Sequence, residues 1–229
     1  MLTTAHSARR ARPYALLVSR DWQAWHDAYE VEDHPLQARL AAVVALLTGA
    51  IDAAPPGPLR LASLCAGDGR DVVRALGDHP RRSDVQVRLV ELDAGLADRA
   101  RAGLAEAGIS GSVVVDDAGH SSVLADVAPV DLLLLCGIFG NVADDDVRRT
   151  VAAVPTLCRS GAVVLWTRHR RTPDLTPTIR RWFDAAGCTS ISLRTEGTGL
   201  HGWAVGAERL GPATPHRPDR LFTFRDDLW

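Results

Sequence analysis

From about residue 59 to residue 210 the chain alternates short apolar runs with longer stretches whose apolar residues recur every three or four positions. Arg60–Leu64 is apolar and runs straight into Cys65-Ala66-Gly67-Asp68-Gly69, after which Val72, Val73 and Leu76 have helical spacing. Val85–Leu92 reads as a second strand. The face Leu96, Ala100, Leu104 and Ala107 reads as a helix stopped by Gly108. A short third strand is expected at Val113–Val115. Val130–Leu135 is an unbroken apolar run, as expected of a strand buried on both faces of a parallel sheet. Asp144 or Asp145 is expected to cap a helix facing inward through Val147, Val151, Val154 and Leu157. Ala162–Trp166 reads as the fifth strand, leading into a loop through Arg168, His169, Arg170 and Arg171. A helix over Pro173–Ala186, strands near 188–194 and 203–210, and a short last strand at Leu221–Phe224 complete the pattern.

Upstream, Leu36, Leu40, Val43, Val44, Leu47 and Ile51 mark an amphipathic helix over 34–53, stopped by Ala-Pro-Pro-Gly-Pro. Before it, Asp21 can cap a helix that carries Trp22, Trp25 and Tyr29 on one face. That helix either packs its aromatics on the main domain or closes over a ligand crevice, bringing His26 with it. Strands alternating with helices point to a largely parallel sheet with helices on both faces, and the helix-poor end to an antiparallel finish. The expected architecture is α/β and doubly wound: a mostly parallel seven-stranded sheet with an antiparallel final strand. Residues 1–53 form an N-terminal helical extension or lid, and 54–229 form the main domain.

Composition narrows the function classes. With 229 residues and a net charge of −2, the chain has room for one sizeable core and lacks the basic field that favours nucleic acid. No apolar run is expected to reach the roughly 18 residues of a membrane span. The basic residues are all arginine, which removes lysine as a general base or Schiff-base former. Cys65, Cys136, Cys158 and Cys188 lie far apart without a CxxC pair, so neither a metal site nor a disulfide framework is expected, and a reducing cytoplasm suits them. Residues 1–13 carry three arginines and no acid, a composition read as a frayed terminus in preference to a transit peptide.

In such a sheet, ligands bind at the carboxyl ends of the strands. Here those ends carry the glycine loop, then Glu91 and Asp93, then Asp116 and Asp117. A carboxylate after the second strand suits ribose hydroxyls, and an acceptor after the third suits an adenine amino group. Each acid alone is better explained by a helix cap or a solvated turn; their ordered agreement points to an adenosine ligand. A dinucleotide site prefers G-x-G-x-x-G, but the third position here is Val72, and Asp68 between the glycines would repel a phosphate. A cationic or zwitterionic ligand suits Asp68 and Asp71 better.

These residues together resemble the class I S-adenosylmethionine-dependent methyltransferases, with their Rossmann-like fold, over roughly residues 59–210. LASLCAGDGRD stands for the family's glycine motif, LVELD for its ribose acid, VVVDDA for its adenine acid and VDLLLLCGIFGNV for its fourth strand and loop. More faintly, the whole chain is similar to actinobacterial methyltransferase-like proteins. The resemblance implies S-adenosylmethionine as cofactor. Cys65, Ala66, Gly67, Asp68 and Gly69 would lie along its methionine part, with Glu91 and Asp93 at the ribose. Leu92 would lie against the adenine, Asp117 and Ala118 at the adenine amino group, and Cys136 and Gly137 under the sulfonium. Two positions depart from the family: Ser63 replaces the usual acid of the first strand, and Cys65 replaces the first glycine. Asp68 or Asp71 is then left to hold the methionine amino group.

The implied reaction is direct methyl transfer to a small-molecule acceptor, in which the protein chiefly aligns a nucleophile. His169, His26 and, less directly, His201 are the candidate bases if the acceptor is protonated. Arg168, Arg170 and Arg171 around His169 are either a solvated charge run or a grip for an anionic acceptor, which Trp25 and Tyr29 would help to enclose. The rival readings are a cofactor-binding protein without catalysis, a nicotinamide-dependent oxidoreductase of similar fold, and a nucleic-acid methyltransferase.

Overall fold

The computed structural model describes Tyr29, residues 35–216 and residues 218–225. The Arg-rich start and most of the 21–30 segment, with Trp22, Trp25 and His26, lie outside the described residues.

Helix α1 (Pro35–Asp52) precedes β1 (Leu59–Leu64), and α2 (Arg70–Leu76) follows the glycine loop. Then come β2 (Val85–Glu91), α3 (Ala94–Glu106), β3 (Gly111–Val115), β4 (Val130–Leu135) and α4 (Asp144–Leu157). The chain continues through β5 (Cys158–Arg170), α5 (Thr176–Ala185), β6 (Cys188–Glu196) and β7 (Gly199–Leu210). One seven-stranded sheet has the order β3-β2-β1-β4-β5-β7-β6. Its pairings are parallel from β3 through to β5, and β7 runs antiparallel to both β5 and β6.

The central strands are buried on both faces, which is why β1 and β4 read as near-continuous apolar runs, whereas the edge strands β3 and β6 are largely exposed. Leu59 and Leu61 of β1 join Val163 and Leu165 of β5 under α1, α2 and α3, whereas Ala62, Leu64, Val164 and Trp166 face α4 and α5. On the second face, Trp166 stacks on Phe183 at 6.1 Å and meets Phe139 at 6.2 Å. Gly206 of β7 lies against that indole, leaving no space for a side chain. Arg81 locks the entry to β1 by donating to the carbonyls of Ile51, Ala54, Pro55 and Gly57 at 2.7–3.1 Å.

Several sequence expectations need correction. Helix α1 has 18 residues with mean hydropathy 1.3, long and apolar enough to cross a membrane by that measure. Its Leu40, Val43, Leu47 and Ile51 are nevertheless buried, the latter three in the core against α2 and the sheet. Strand β5 runs on to Arg170, because β7 is long enough to pair with Arg168 and His169 through Ala204 and Trp203. Those residues belong to a strand rather than a loop. The α4 cap is Ala143 without a side-chain bond, and Asp144, Asp145 and Asp146 fill the first turn, where the helix dipole favours acids. Helix α5 starts later than expected, at Thr176, whose N–H donates to Asp174 at 3.0 Å. Residues 220–224 form only isolated bridges, Arg220 to His120 and Phe224 to Val142.

Candidate active site

The strand order reverses between β1 and β4, with β2 and β3 on one side and β5 on the other. In open α/β sheets that reversal leaves a crevice at the carboxyl ends of the strands. The loop after β1 turns sharply through left-handed residues: Cys65 at φ 53°, Gly67 at 59° and Gly69 at 69°. A Cβ on Gly69 would come within 2.8 Å of Leu89 Cδ1, so glycine is required there for space as well as for conformation. Cys65 is the only non-glycine at positive φ among the described residues, and that conformation costs an L-residue about 1–2 kcal/mol.

Glu91 ends β2 directly beneath this loop. Its carboxylate accepts from Gly67 N at 2.7 Å and from Asp93 N at 2.9 Å, tying the first two strand ends together. Burial raises its pKa, and these backbone donors oppose the rise. Asp93 also caps α3 by accepting from Leu96 N at 2.8 Å. Between them Leu92 is 67% exposed, an apolar side chain left open at the mouth. After β3, Asp117 accepts from Gly119 N at 2.8 Å and from Arg220 Nη1 at 2.7 Å, while Ala118 is buried. After β4, Gly137 at φ 75° donates to Thr167 Oγ1 at 2.8 Å, and its carbonyl accepts from Asn141 Nδ2 at 2.6 Å. The Cys65 and Cys136 thiols are pushed up by burial and by nearby acids, so both are neutral rather than nucleophilic.

The two acids on either side of Arg70 differ sharply. Asp68 is gripped by Arg70, with Nε at 2.9 and 3.0 Å from its two oxygens and Nη2 at 2.5 Å. Asp71 has no such ion pair among the described residues; it accepts from Val72 N at 2.8 Å. Burial raises its pKa from 3.8 to about 6; Asp68 adds to the rise, and the Arg39 charge opposes it. Tyr29 sits at this end of the crevice. Arg39 Nη2 donates to its hydroxyl at 2.6 Å, Gln37 Nε2 to its carbonyl at 2.9 Å, and the Arg70 guanidinium lies 4.6 Å from its ring. Trp25, its expected companion, is outside the described residues.

At the end of β5, Arg168 donates to the Phe139 carbonyl and approaches Asp144 at 3.4 Å, pinning the loop between β4 and α4. Arg170 binds Asp174 at 2.9 Å and the Gly197 carbonyl at 2.7 Å. The basic cluster is therefore largely engaged in holding loops. His169 packs against Gly140, and its Nδ1 accepts from Arg171 N at 3.3 Å. Its pKa falls to about 4, first through burial and then through the Arg168 and Arg171 charges. His201 is exposed on β7. Trp182 lies away from the strand ends, in an open recess of about 500 Å³ with Arg148, Pro155 and Pro212.

Sequence reasoning passed over Arg39, Thr167 and Arg220, and did not single out Asn141. Thr167 had a signal, as a hydroxyl one residue past the expected fifth strand. Arg39 and Arg220 had none, because their partners are distant in sequence.

No protein-family model matches the sequence, and no curated protein does either. Solved structures do match. A magnesium protoporphyrin IX methyltransferase from Synechocystis PCC 6803 with bound SAM aligns at TM-score 0.63 and 12% identity, over 84% of this chain and 92% of that one. The 1,6-didemethyltoxoflavin-N1-methyltransferase of Burkholderia thailandensis, with 1,6-didemethyltoxoflavin and S-adenosylhomocysteine bound, aligns at TM-score 0.61 and 16% identity, over 83% and 84%. A ribosomal protein L11 methylase from Lactobacillus delbrueckii subsp. bulgaricus aligns at 0.54 and 15%, over 76% and 79%. The chain therefore has the Rossmann-like fold of the S-adenosylmethionine-dependent methyltransferases.

Proposed function

We propose that this chain is an S-adenosylmethionine-dependent methyltransferase acting on a small-molecule acceptor. The observation that carries this reading is the Glu91 carboxylate joining the left-handed glycine loop to the β2 end at the sheet's switch point. The residues present fit the cofactor. A Cβ on Gly69 would point into the core against Leu89, whereas one on Gly137 would meet nothing within 4 Å, so the backbone after β4 stands beside open space. Glu91 would take the ribose hydroxyls by exchanging its bonds to Gly67 and Asp93, and exposed Leu92 would cover the adenine. Asp117 would receive the adenine amino group, and Cys136 and Gly137 would lie below the sulfonium. Ser63 leaves the methionine ammonium without the family's usual acid. Asp68 is already neutralised by Arg70, so Asp71 would take that part, with the Arg39 charge that acts on it available for the methionine carboxylate.

When bound, the cofactor supplies an electrophilic sulfonium methyl, which a nucleophile displaces in line. The protein's part is alignment and exclusion of water. His169 is neutral above about pH 4, and its Nδ1 lone pair is occupied by Arg171 N, so Nε2 carries the proton and serves as a donor. A donor in that place, beside the Arg171 charge, suits an acceptor that arrives anionic and needs no general base. Two bound methyltransferases of the same fold act on small acceptors by their names, which supports the small-molecule reading. Four free thiols fit a reducing cytoplasm. Calorimetric titration with S-adenosylmethionine, S-adenosylhomocysteine and NAD tests the reading. Micromolar binding of the first two, lost in Glu91→Ala, is expected; binding of NAD alone refutes it.

A further inference from the structure

Beyond the last strand, residues 218–225 cross the carboxyl end of the sheet as a strap. Ser121 N donates to Asp219 O at 3.1 Å and Leu221 N to Gly119 O at 2.7 Å, so Arg220 is held opposite His120. Leu221 and Phe222 are buried to 0% and 1% exposure, which anchors the strap in the core beside Arg220. Any Cβ on Gly119 would overlap the Phe222 carbonyl and come within 2.9 Å of Asp117 Oδ1, so this crossing depends on glycine at that position. The strap then reaches the loop after β4. Thr223 N donates to Asp146 Oδ2 at 2.9 Å and Arg225 N to the carbonyl of Asn141 at 3.0 Å. Asn141 is the residue that holds the Gly137 carbonyl.

We propose that this strap completes the adenine end of the crevice, and that Arg220 is the positioning residue that fixes Asp117 as an acceptor. This rests on the cofactor reading above. Asp117 stands on a turn with its side chain 39% exposed, where an isolated carboxylate would rotate among several orientations. Gly119 N holds one of its oxygens at 2.8 Å and Arg220 Nη1 the other at 2.7 Å. A carboxylate offers about four lone-pair directions, so each oxygen keeps one for a ligand. His120 Nε2, 2.6 Å from the same Arg220 nitrogen and 3.9 Å from the same Asp117 oxygen, gives that nitrogen a second acceptor beside the carboxylate. A carboxylate so fixed accepts from an amino group and repels an oxo group at the same place, so Arg220 contributes to selection of adenine over hypoxanthine.

The test is calorimetric titration of wild type, Arg220→Ala and Arg220→Lys with S-adenosylhomocysteine and with S-inosylhomocysteine, in which an oxo group replaces the amino group. Wild type is expected to prefer the amino compound at least tenfold. Arg220→Ala should bind it roughly tenfold more weakly while hardly changing the inosyl affinity, so the preference collapses; Arg220→Lys should restore part of it. A merely structural strap would weaken both ligands together and leave the ratio intact, which overturns the proposal. Tighter binding of the amino compound by Arg220→Ala overturns it too, by making Arg220 an obstruction. If Arg220→Ala fails to fold, Arg220→Met, which keeps the length of the side chain without its charge, takes its place, and an unchanged ratio there overturns the proposal. Wild type binding neither compound refutes the cofactor reading itself, an outcome distinct from an unchanged ratio.

Discussion

Replacing Asp71 with asparagine should make the protein more stable and its cofactor site weaker. Burial raises the Asp71 pKa from 3.8 to about 6, with Asp68 adding repulsion and Arg39 opposing it. At neutral pH the folded state therefore carries a charge it disfavours by about 3 kcal/mol. Because the folded pKa is the higher one, this stability is fully present below about pH 3.8 and lost as pH rises through about 6. Asparagine retains an oxygen for Val72 N and gives up the favourable placement of an acid in the first turn of α2, worth about 0.5 kcal/mol. The net gain expected near pH 7.5 is about 2 kcal/mol, a rise in Tm of roughly 4–8 °C for a chain of this size. The same charge is what an ammonium group would neutralise. Asp71→Asn should thus weaken S-adenosylhomocysteine by about 10–100-fold, the worth of a charged hydrogen bond. It should leave 5′-methylthioadenosine, which lacks the amino-acid portion, unchanged. Thermal melts at pH 4.5 and 7.5 and paired calorimetric titrations read both effects. A lower Tm at pH 7.5, or equal losses for the two ligands, refutes the assignment.

Further outcomes follow from other strained or buried groups. Cys65→Gly should be tolerated or stabilise by about 1 kcal/mol, whereas Cys65→Val, β-branched at φ 53°, should destabilise by more than that in urea titration. Glu208 is 1% exposed and accepts from Trp166 Nε1 at 3.3 Å; burial, the largest influence on it, raises its pKa. Glu208→Gln should raise Tm at pH 7–8, with the gain shrinking toward acid pH. A Tm that falls at pH 8 would show the charge to be compensated. His169, with its pKa near 4, should produce no inflection in the pH–rate profile between pH 5 and 8. Its replacement by glutamine should leave the shape of that profile unchanged.

The edge strands β3 and β6 are largely exposed, but the central strands were legible because they are buried on both faces. Val130–Leu135 is apolar throughout for that reason, and its observed bounds match those expected from sequence. The glycine loop was legible because its conformation is a local property: Gly67 and Gly69 take the positive φ that glycine permits without a Cβ clash. The acids at the strand ends stood in order for the same local reason, since a residue's place at the end of a strand follows from the periodicity before it.

What those acids touch was decided elsewhere. Asp68 and Asp71 are three residues apart with similar neighbours, yet one is neutralised by Arg70 and the other is left desolvated near Arg39 of a separate helix. The Arg168–His169–Arg170 cluster looked like a free loop because strand length depends on the partner: β7 extends the ladder to Arg170, and the guanidiniums turn onto Phe139, Asp144 and Asp174. The strap that brings Arg220 to Asp117 joins residues 103 positions apart, with no periodicity to announce it. Local backbone preference and hydrophobic period are written into neighbouring residues, so the sequence by itself determined the strands, the glycine turn and the order of acids. Charge neutralisation and desolvation depend on groups that meet only when the chain closes on itself, and those the tertiary structure alone decided.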